Sequence, residues 1–297
     1  MNKEKISCFG AYGFVLGEFC RQFPDEVIRI EKHEIVPPTN RILYGISTTD
    51  NYNVFENPTL DIETNLLHLM DVLDACYKTF GNDFEFNFIS SWFVYGKSEF
   101  SMLENFPLME EAPCNPTGFY SITKRTAEQL LISYCTTFKI KYRILRLANV
   151  LGHKDKKVSK KKNALQYLID RLVHNEDIEL YDAGNFHRDY IDVRDCVRAI
   201  HLVMNNNMLY ESPEQEPKIY NISNGVSHKF KDLIDLAKEY SGSKSNIWDK
   251  MDKPEFHSIV QSKNVFLANE KLAKLGYVPQ ITMEQTLKDI INEYKGH

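Results

Sequence analysis

Ile6-Ser7-Cys8-Phe9-Gly10-Ala11-Tyr12-Gly13-Phe14-Val15-Leu16-Gly17 is the stretch on which the fold turns. Ile6–Phe9 reads as a short buried strand, and Phe14–Phe23 carries the apolar spacing of a helix. A strand that runs through a glycine turn directly into a helix is the setting of a dinucleotide fingerprint. The glycines, Gly10 and Gly13, tighten the turn and let a pyrophosphate reach the amides at the helix N-terminus, Phe14 and Val15 among them. Glu31 lies 21 residues after Gly10, at the end of a second strand, Val27–Ile30. A carboxylate there accepts hydrogen bonds from the ribose hydroxyls and repels a 2′-phosphate. It therefore favours NAD and leaves NADP open. The alternative is a surface Glu in the charged run Glu31-Lys32-His33-Glu34.

Outward from this unit the pattern repeats. Ile42–Ile46 is read as strand, Asp61–Phe80 as a long helix, Phe84–Ser90 as strand, Tyr120–Phe138 as helix and Tyr142–Leu147 as strand. Strands alternating with helices predict an α/β fold with a Rossmann-type, doubly wound parallel sheet. Residues 1–150 are assigned to the dinucleotide-binding domain. Residues 151–297 are assigned to a smaller α/β substrate-binding lobe, with part of the chain returning to the first domain. Here the helices Ala164–His174 and Val193–Met204 precede a strand, Ile219–Ile222. Two more, near Phe230–Tyr240 and Met283–Tyr294, follow it.

Composition narrows the class. The chain is 43% apolar and 26% charged, with net charge −5, which argues against nucleic acid as a partner. No apolar run approaches the ~18 residues of a membrane span. The six cysteines are scattered without Cys-x-x-Cys spacing, so reduced thiols, a cytoplasmic setting and no metal site are expected.

Tyr120-Ser121-Ile122-Thr123-Lys124 puts a phenol and an ammonium on one helical face. A phenol titrates near pH 10, and a nearby ammonium is expected to lower that value. Such a pair can take a proton from a sugar hydroxyl as hydride leaves the carbon.

With these pieces placed, the chain resembles the extended short-chain dehydrogenase/reductase family, the NAD-dependent epimerase/dehydratases of nucleotide sugars. The resemblance runs from the glycine turn through Ser90-Ser91-Trp92-Phe93-Val94-Tyr95-Gly96 and Tyr120–Lys124. It continues through Arg146-Leu147-Ala148-Asn149-Val150-Leu151-Gly152, Arg188-Asp189-Tyr190-Ile191-Asp192-Val193 and Tyr220-Asn221-Ile222-Ser223-Asn224-Gly225. It implies that Ser91 binds the reacting oxygen, Tyr120 is the general base and acid, and Lys124 holds the nicotinamide ribose. Ser47 and Asn65 are assigned to the cofactor site, Asn65 also to support of the active site. Asn149 is assigned to the sugar or its phosphates, Arg188 to a phosphate and Tyr181 to the nucleotide base. Asn163 and Leu165 fall in the lid segment that touches the nucleotide. The plain alternatives are a satisfied helix amide for Asn65, a salt bridge to Asp189 for Arg188, core packing for Tyr181 and a solvated loop for Lys154–Lys162. The resemblance also implies a homodimer through helices Asp61–Phe80 and Tyr120–Phe138, with Leu66, Leu69, Leu130 and Leu131 as candidates for the contact.

Four departures from the family pattern stand out. Leu16 occupies the third-glycine position, which is expected to hold the first helix off the strand. About ten residues separate the second strand from Ile42, so a strand and helix are missing and the adenine pocket should be open. Trp92 and Phe93 replace the Asp-Glu pair of dehydratases, which argues against elimination chemistry. Lys253 or His257 stands in for a second phosphate-binding Arg. The leading expectation is an NAD-dependent nucleotide-sugar epimerase acting at a carbon such as C4. A keto-sugar reductase or nucleotide-sugar dehydrogenase is the runner-up. A non-catalytic dinucleotide-binding scaffold or sensor comes third.

Overall fold

β1 (Ile6–Phe9) is buried along its whole length, as a strand covered on both faces must be. It is the hinge of the architecture. In the computed structural model, which describes residues 5–97, 106–155, 158–159, 162–206, 218–252, 254–260 and 262–296, β1 pairs in parallel with β2 (Val27–Ile30) on one side and β3 (Arg41–Tyr44) on the other. β4 (Glu85–Ser91) and β5 (Lys141–Leu147) extend the sheet beyond β3. β6 (Asn149–Leu151), β7 (Ile178–Tyr181), β8 (His187–Arg188) and β9 (Tyr190–Asp192) lie outside it. β10 (Ile219–Ile222) returns to pair with β5. The order β10-β5-β4-β3-β1-β2 reverses chain direction of travel between β1 and β3. In an open parallel sheet the ligand crevice lies at that point, outside the carboxyl ends of the strands. β2 is the sheet's edge, and the eleventh residue after it already opens β3.

Helices cover both faces. α1 (Phe14–Gln22) and α6 (Val193–Asn205) share one apolar cluster with β1 and β5. α2 (Leu60–Ile62), α3 (His68–Phe80) and α4 (Phe119–Phe138) lie toward the other face, where α3 and α4 carry its core. A third cluster joins α5 (Ala164–Val173), α7 (Phe230–Ser241) and α10 (Met283–Lys295) around β7. β11 (His228–Lys229), β12 (Ile247–Lys250), α8 (Glu255–Val260), β13 (Asn264–Val265) and α9 (Glu270–Lys274) complete the chain. No helix among the described residues is long and apolar enough to cross a membrane.

One expected element differs. Asp61–Phe80 is not a single regular helix, because Glu63–Leu67 forms a π turn between α2 and α3. Such an insertion re-aims a side chain, and here it carries the buried Asn65. Leu69 and Leu131 are fully buried within the chain, so they serve its own core and not an outer face.

Candidate active site

The glycine turn sits at the crevice. Gly10 has φ +87°, and a side chain there would bring its Cβ within 3.0 Å of the Gly45 backbone. Its carbonyl accepts the Gly13 N–H at 2.9 Å. Gly13 is the N-cap of α1 and has no side chain to cap the helix. Phe14 and Val15 open the helix, half-buried. A bare helix start facing a cradle too tight for Cβ atoms fits a dinucleotide pyrophosphate. Leu16 is accommodated by its neighbour. A Cβ on Gly45 would stand 2.4 Å from Leu16 Cδ1, so the missing glycine of the helix is made up by a glycine after β3.

At the far end of the crevice, Glu31 is exposed, and its carboxylate accepts a hydrogen bond from the Tyr12 hydroxyl. The Arg29 guanidinium lies 5.7 Å from the centre of the Tyr12 ring and 3.5 Å from the Ala11 carbonyl. The carboxylate expected to receive a ribose is thus already engaged by a side chain of the glycine turn.

The reacting end is buried. Tyr120, Lys124 and Glu128 follow one another at i, i+4 and i+8 along the inner face of α4. Ser91 closes β4; its hydroxyl bonds Tyr120 and accepts the Phe93 N–H at 3.3 Å. The expectation that Lys124 depresses the Tyr120 pKa is overturned. Burial pushes the phenol up to about 12, the Ser91 hydrogen bond pulls it back in part, and the charge of nearby buried Asp61 adds to the rise. Lys124 contributes little because it is itself desolvated, which brings its ammonium down to about 7. The negative charge one turn away does not restore it. Glu128 is held by Arg146 at 2.8 and 2.9 Å, by Arg125 at 2.8 Å and by Ser90 at 2.6 Å, so its charge is already shared. Lys124 Nζ donates to the Ile89 carbonyl at 2.6 Å and lies 4.2 Å from the centre of the Phe88 ring.

Asn65 joins this corner. Its oxygen accepts from the Thr48 N–H at 2.9 Å and lies 2.9 Å from Ser47 Oγ. Its amide donates to Thr48 and Thr123, each at 2.9 Å. It therefore pins the loop after β3, Ser47 included, to the helix that carries Tyr120.

The expected substrate residues are distributed differently. Arg188 is buried, and its guanidinium donates to the carbonyls of His187, Lys263 and Ser262 at 2.6–2.8 Å. It lies over Trp92 at 5.5 Å and Phe186 at 4.8 Å. Three of its five N–H donors thus brace backbone carbonyls, a structural role beside the phosphate contact that the resemblance implies. Asn149 accepts the Trp92 indole N–H at 3.2 Å and donates to the Asp189 carbonyl at 2.9 Å, so its amide is a brace first. Asn163 donates to Gln166 at 3.0 Å and to the Val150 carbonyl at 3.4 Å, tying α5 to β6. The Leu165 side chain lies in the core of the smaller lobe. Tyr181 is half-buried at the end of β7, 6.0 Å from Lys250 Nζ. Lys253 and the side chain of His257 lie outside the described residues.

Residues that sequence reasoning missed complete the mouth. Tyr52 and Phe55, from the short helix Asn51–Phe55, meet Phe256 of α8 edge-on at 5.1 and 4.7 Å. The Asn51 side-chain oxygen is buried without a partner beside Gly118, the N-cap of α4, where a Cβ would come within 2.4 Å of it. Gly45 was legible as a glycine after a strand. Asp61 was legible as a carboxylate one turn before Asn65.

Fold and site together define a Rossmann-type oxidoreductase with a Ser-Tyr-Lys set. The profile of the NAD dependent epimerase/dehydratase family matches residues 44–223. The chain belongs to that family and is an NAD(P)-dependent enzyme. A Methanocaldococcus jannaschii protein provisionally named a UDP-glucose 4-epimerase is 25% identical over 92% of this chain and 81% of its own length. The GDP-6-deoxy-D-mannose reductase of Pseudomonas aeruginosa is 24% identical over 95% of this chain and 84% of its own. The crystal structure of Thermotoga maritima UDP-glucose 4-epimerase with UDP-glucose superposes with a TM-score of 0.84 at 20% identity, covering 98% of this chain and 99% of that one.

Proposed function

We propose that the chain is a nucleotide-sugar epimerase that inverts a carbinol carbon, C4 in the leading reading. The observation that carries this is the setting of Tyr120. Its hydroxyl bonds Ser91, its ring meets the Phe93 ring at 5.7 Å between centres, and Trp92 and Phe93, which carry no acid or base, stand where dehydratases carry their Asp-Glu pair.

Bound NAD(P) supplies the acceptor for the hydride of that carbon and the donor that returns it. Gly10, Gly13 and the first turn of α1 would hold its pyrophosphate, and Lys124 its nicotinamide ribose. Ser91 holds the reacting oxygen. Tyr120 Oη takes the hydroxyl proton, keeps it while the keto sugar turns over, and returns it. With the phenol near 12, only a small fraction is the phenolate that can take a proton at neutral pH, so turnover rises with pH through the neutral range.

The alternative, a keto-sugar reductase or sugar dehydrogenase, is favoured by the exposed adenine end, where Tyr12 holds Glu31 and a cofactor would exchange freely. NMR of UDP-, dTDP- and GDP-sugars separates the two. Substoichiometric NAD that yields a C4 epimer supports the epimerase. One cofactor consumed per sugar supports the alternative. Six free thiols accord with a reducing, cytoplasmic setting. Homodimerisation is part of this reading: Ile62, Leu67, Ile122 and Leu130 are exposed on α2–α4. A monomer in sedimentation equilibrium would count against it.

A further inference from the structure

Trp92 and Phe93 stack at 3.9 Å with 23° between their planes. Phe93 then meets the Tyr120 ring edge-on, at 83°. The indole of this pair is held in place. Trp92 is buried, its N–H is committed to Asn149, and the Arg188 guanidinium backs it at 5.5 Å. The Phe93 N–H is tied to Ser91, the residue that would anchor the reacting oxygen. The Tyr120 hydroxyl thus has a polar partner in Ser91, while an apolar wall, Phe93 backed by Trp92, stands against the Tyr120 ring.

In the geometry proposed here, a sugar whose carbinol oxygen meets Tyr120 and Ser91 rests one of its adjacent carbons against Phe93. An adjacent carbon bearing a hydroxyl needs hydrogen-bond partners, and the exposed part of the wall offers none. We propose that Trp92 and Phe93 select the sugar: the site takes a nucleotide sugar whose carbon on the Phe93 side carries a methyl group or hydrogen in place of a hydroxymethyl or carboxylate. For reaction at C4 the hydroxyl-bearing C3 faces Ser91, C5 faces the wall, and the class is the 6-deoxyhexoses and pentoses. This inference rests on the function proposed above and adds the substrate class.

The test is calorimetric binding of UDP-, dTDP- and GDP-linked 6-deoxyhexoses, each beside its 6-hydroxy counterpart, to the NAD-loaded protein and its variants. The native protein is expected to favour the 6-deoxy partner by about 10- to 100-fold, the range over which an apolar pocket rejects an added hydroxyl. Phe93→Ser brings the ratio within about threefold, while Phe93→Leu, which keeps an apolar wall and guards against misfolding of the first variant, retains the preference. Equal affinities in the native protein, or an unchanged ratio in folded Phe93→Ser, overturn the inference. The binding result is independent of turnover. A 6-deoxy preference without any hydride transfer leaves the substrate class standing and sinks the function, whereas turnover without preference does the reverse. Binding of neither sugar overturns both.

Discussion

At the reacting end of the crevice, Tyr120 and Lys124 are buried along one 20-residue helix, with Ser91, Asn65, Glu128 and Arg146 fixing everything around them. At the adenine end, Tyr12 and Glu31 meet in solvent beside an edge strand with no further strand outside it. The family profile begins at residue 44, after the adenine end, and takes in the whole reacting end. The contrast is one of burial: the chain concentrates its ordered polar contacts at the reacting end and leaves the adenine end exposed. Buried polar groups are costly unless satisfied, so the reacting end tolerates little change. A solvent-exposed contact contributes little and is easily altered.

Four variants would break or sharpen that contrast. Tyr120→Phe is expected to fold with a native melt and lose 10²–10⁴-fold in turnover, the usual worth of general acid–base help. Near-native turnover by coupled assay would remove Tyr120 as the proton carrier.

Lys124→Met is expected to weaken cofactor binding yet stabilise the free protein by about 1–3 kcal/mol at pH 7, because a buried charge without a dedicated partner is removed. Folding brings this group from its ordinary value near 10.4 down to about 7. The native state therefore holds fewer protons between those limits, and the variant's advantage fades as pH rises from 7 to 10. Urea melts at three pH values check this; an advantage that grows with pH would contradict the burial.

Gly45→Ala should cost about 1–3 kcal/mol by overpacking against Leu16. Leu16→Ala in the same chain should recover part of it, and a simple sum of the two losses in thermal melts would deny the contact. The smallest effect belongs to the adenine end. Tyr12→Phe frees Glu31 and should tighten NAD binding by about two- to fivefold, the worth of one exposed hydrogen bond. Weaker binding by fluorescence titration would mean that Tyr12 assists the ribose.

The fold was readable because its signals are local. Apolar strands beside glycines and 3.6-residue helices needed no long-range knowledge, and the short link after Ile30 already announced the edge strand. The Ser91–Tyr120–Lys124 set was readable from motif order. What sequence could not supply was occupancy. Arg188, Asn149 and Asn163 carry donors suited to a phosphate or sugar, and three-dimensional packing commits several of those donors to carbonyls and amides within the chain. The same holds for the Tyr120 pKa. Spacing put an ammonium nearby, while burial, invisible in the sequence, governs both groups. The π turn at Asn65 also escaped, because apolar periodicity does not register one extra residue in a helix.

The rings of Tyr52, Phe55 and Phe256 join the two sides of the cleft without an ion pair among the three. A seam of this kind is driven by release of water, and its heat capacity gives it a temperature of greatest strength. Ionic strength should therefore leave the seam almost untouched, whereas cooling should loosen it.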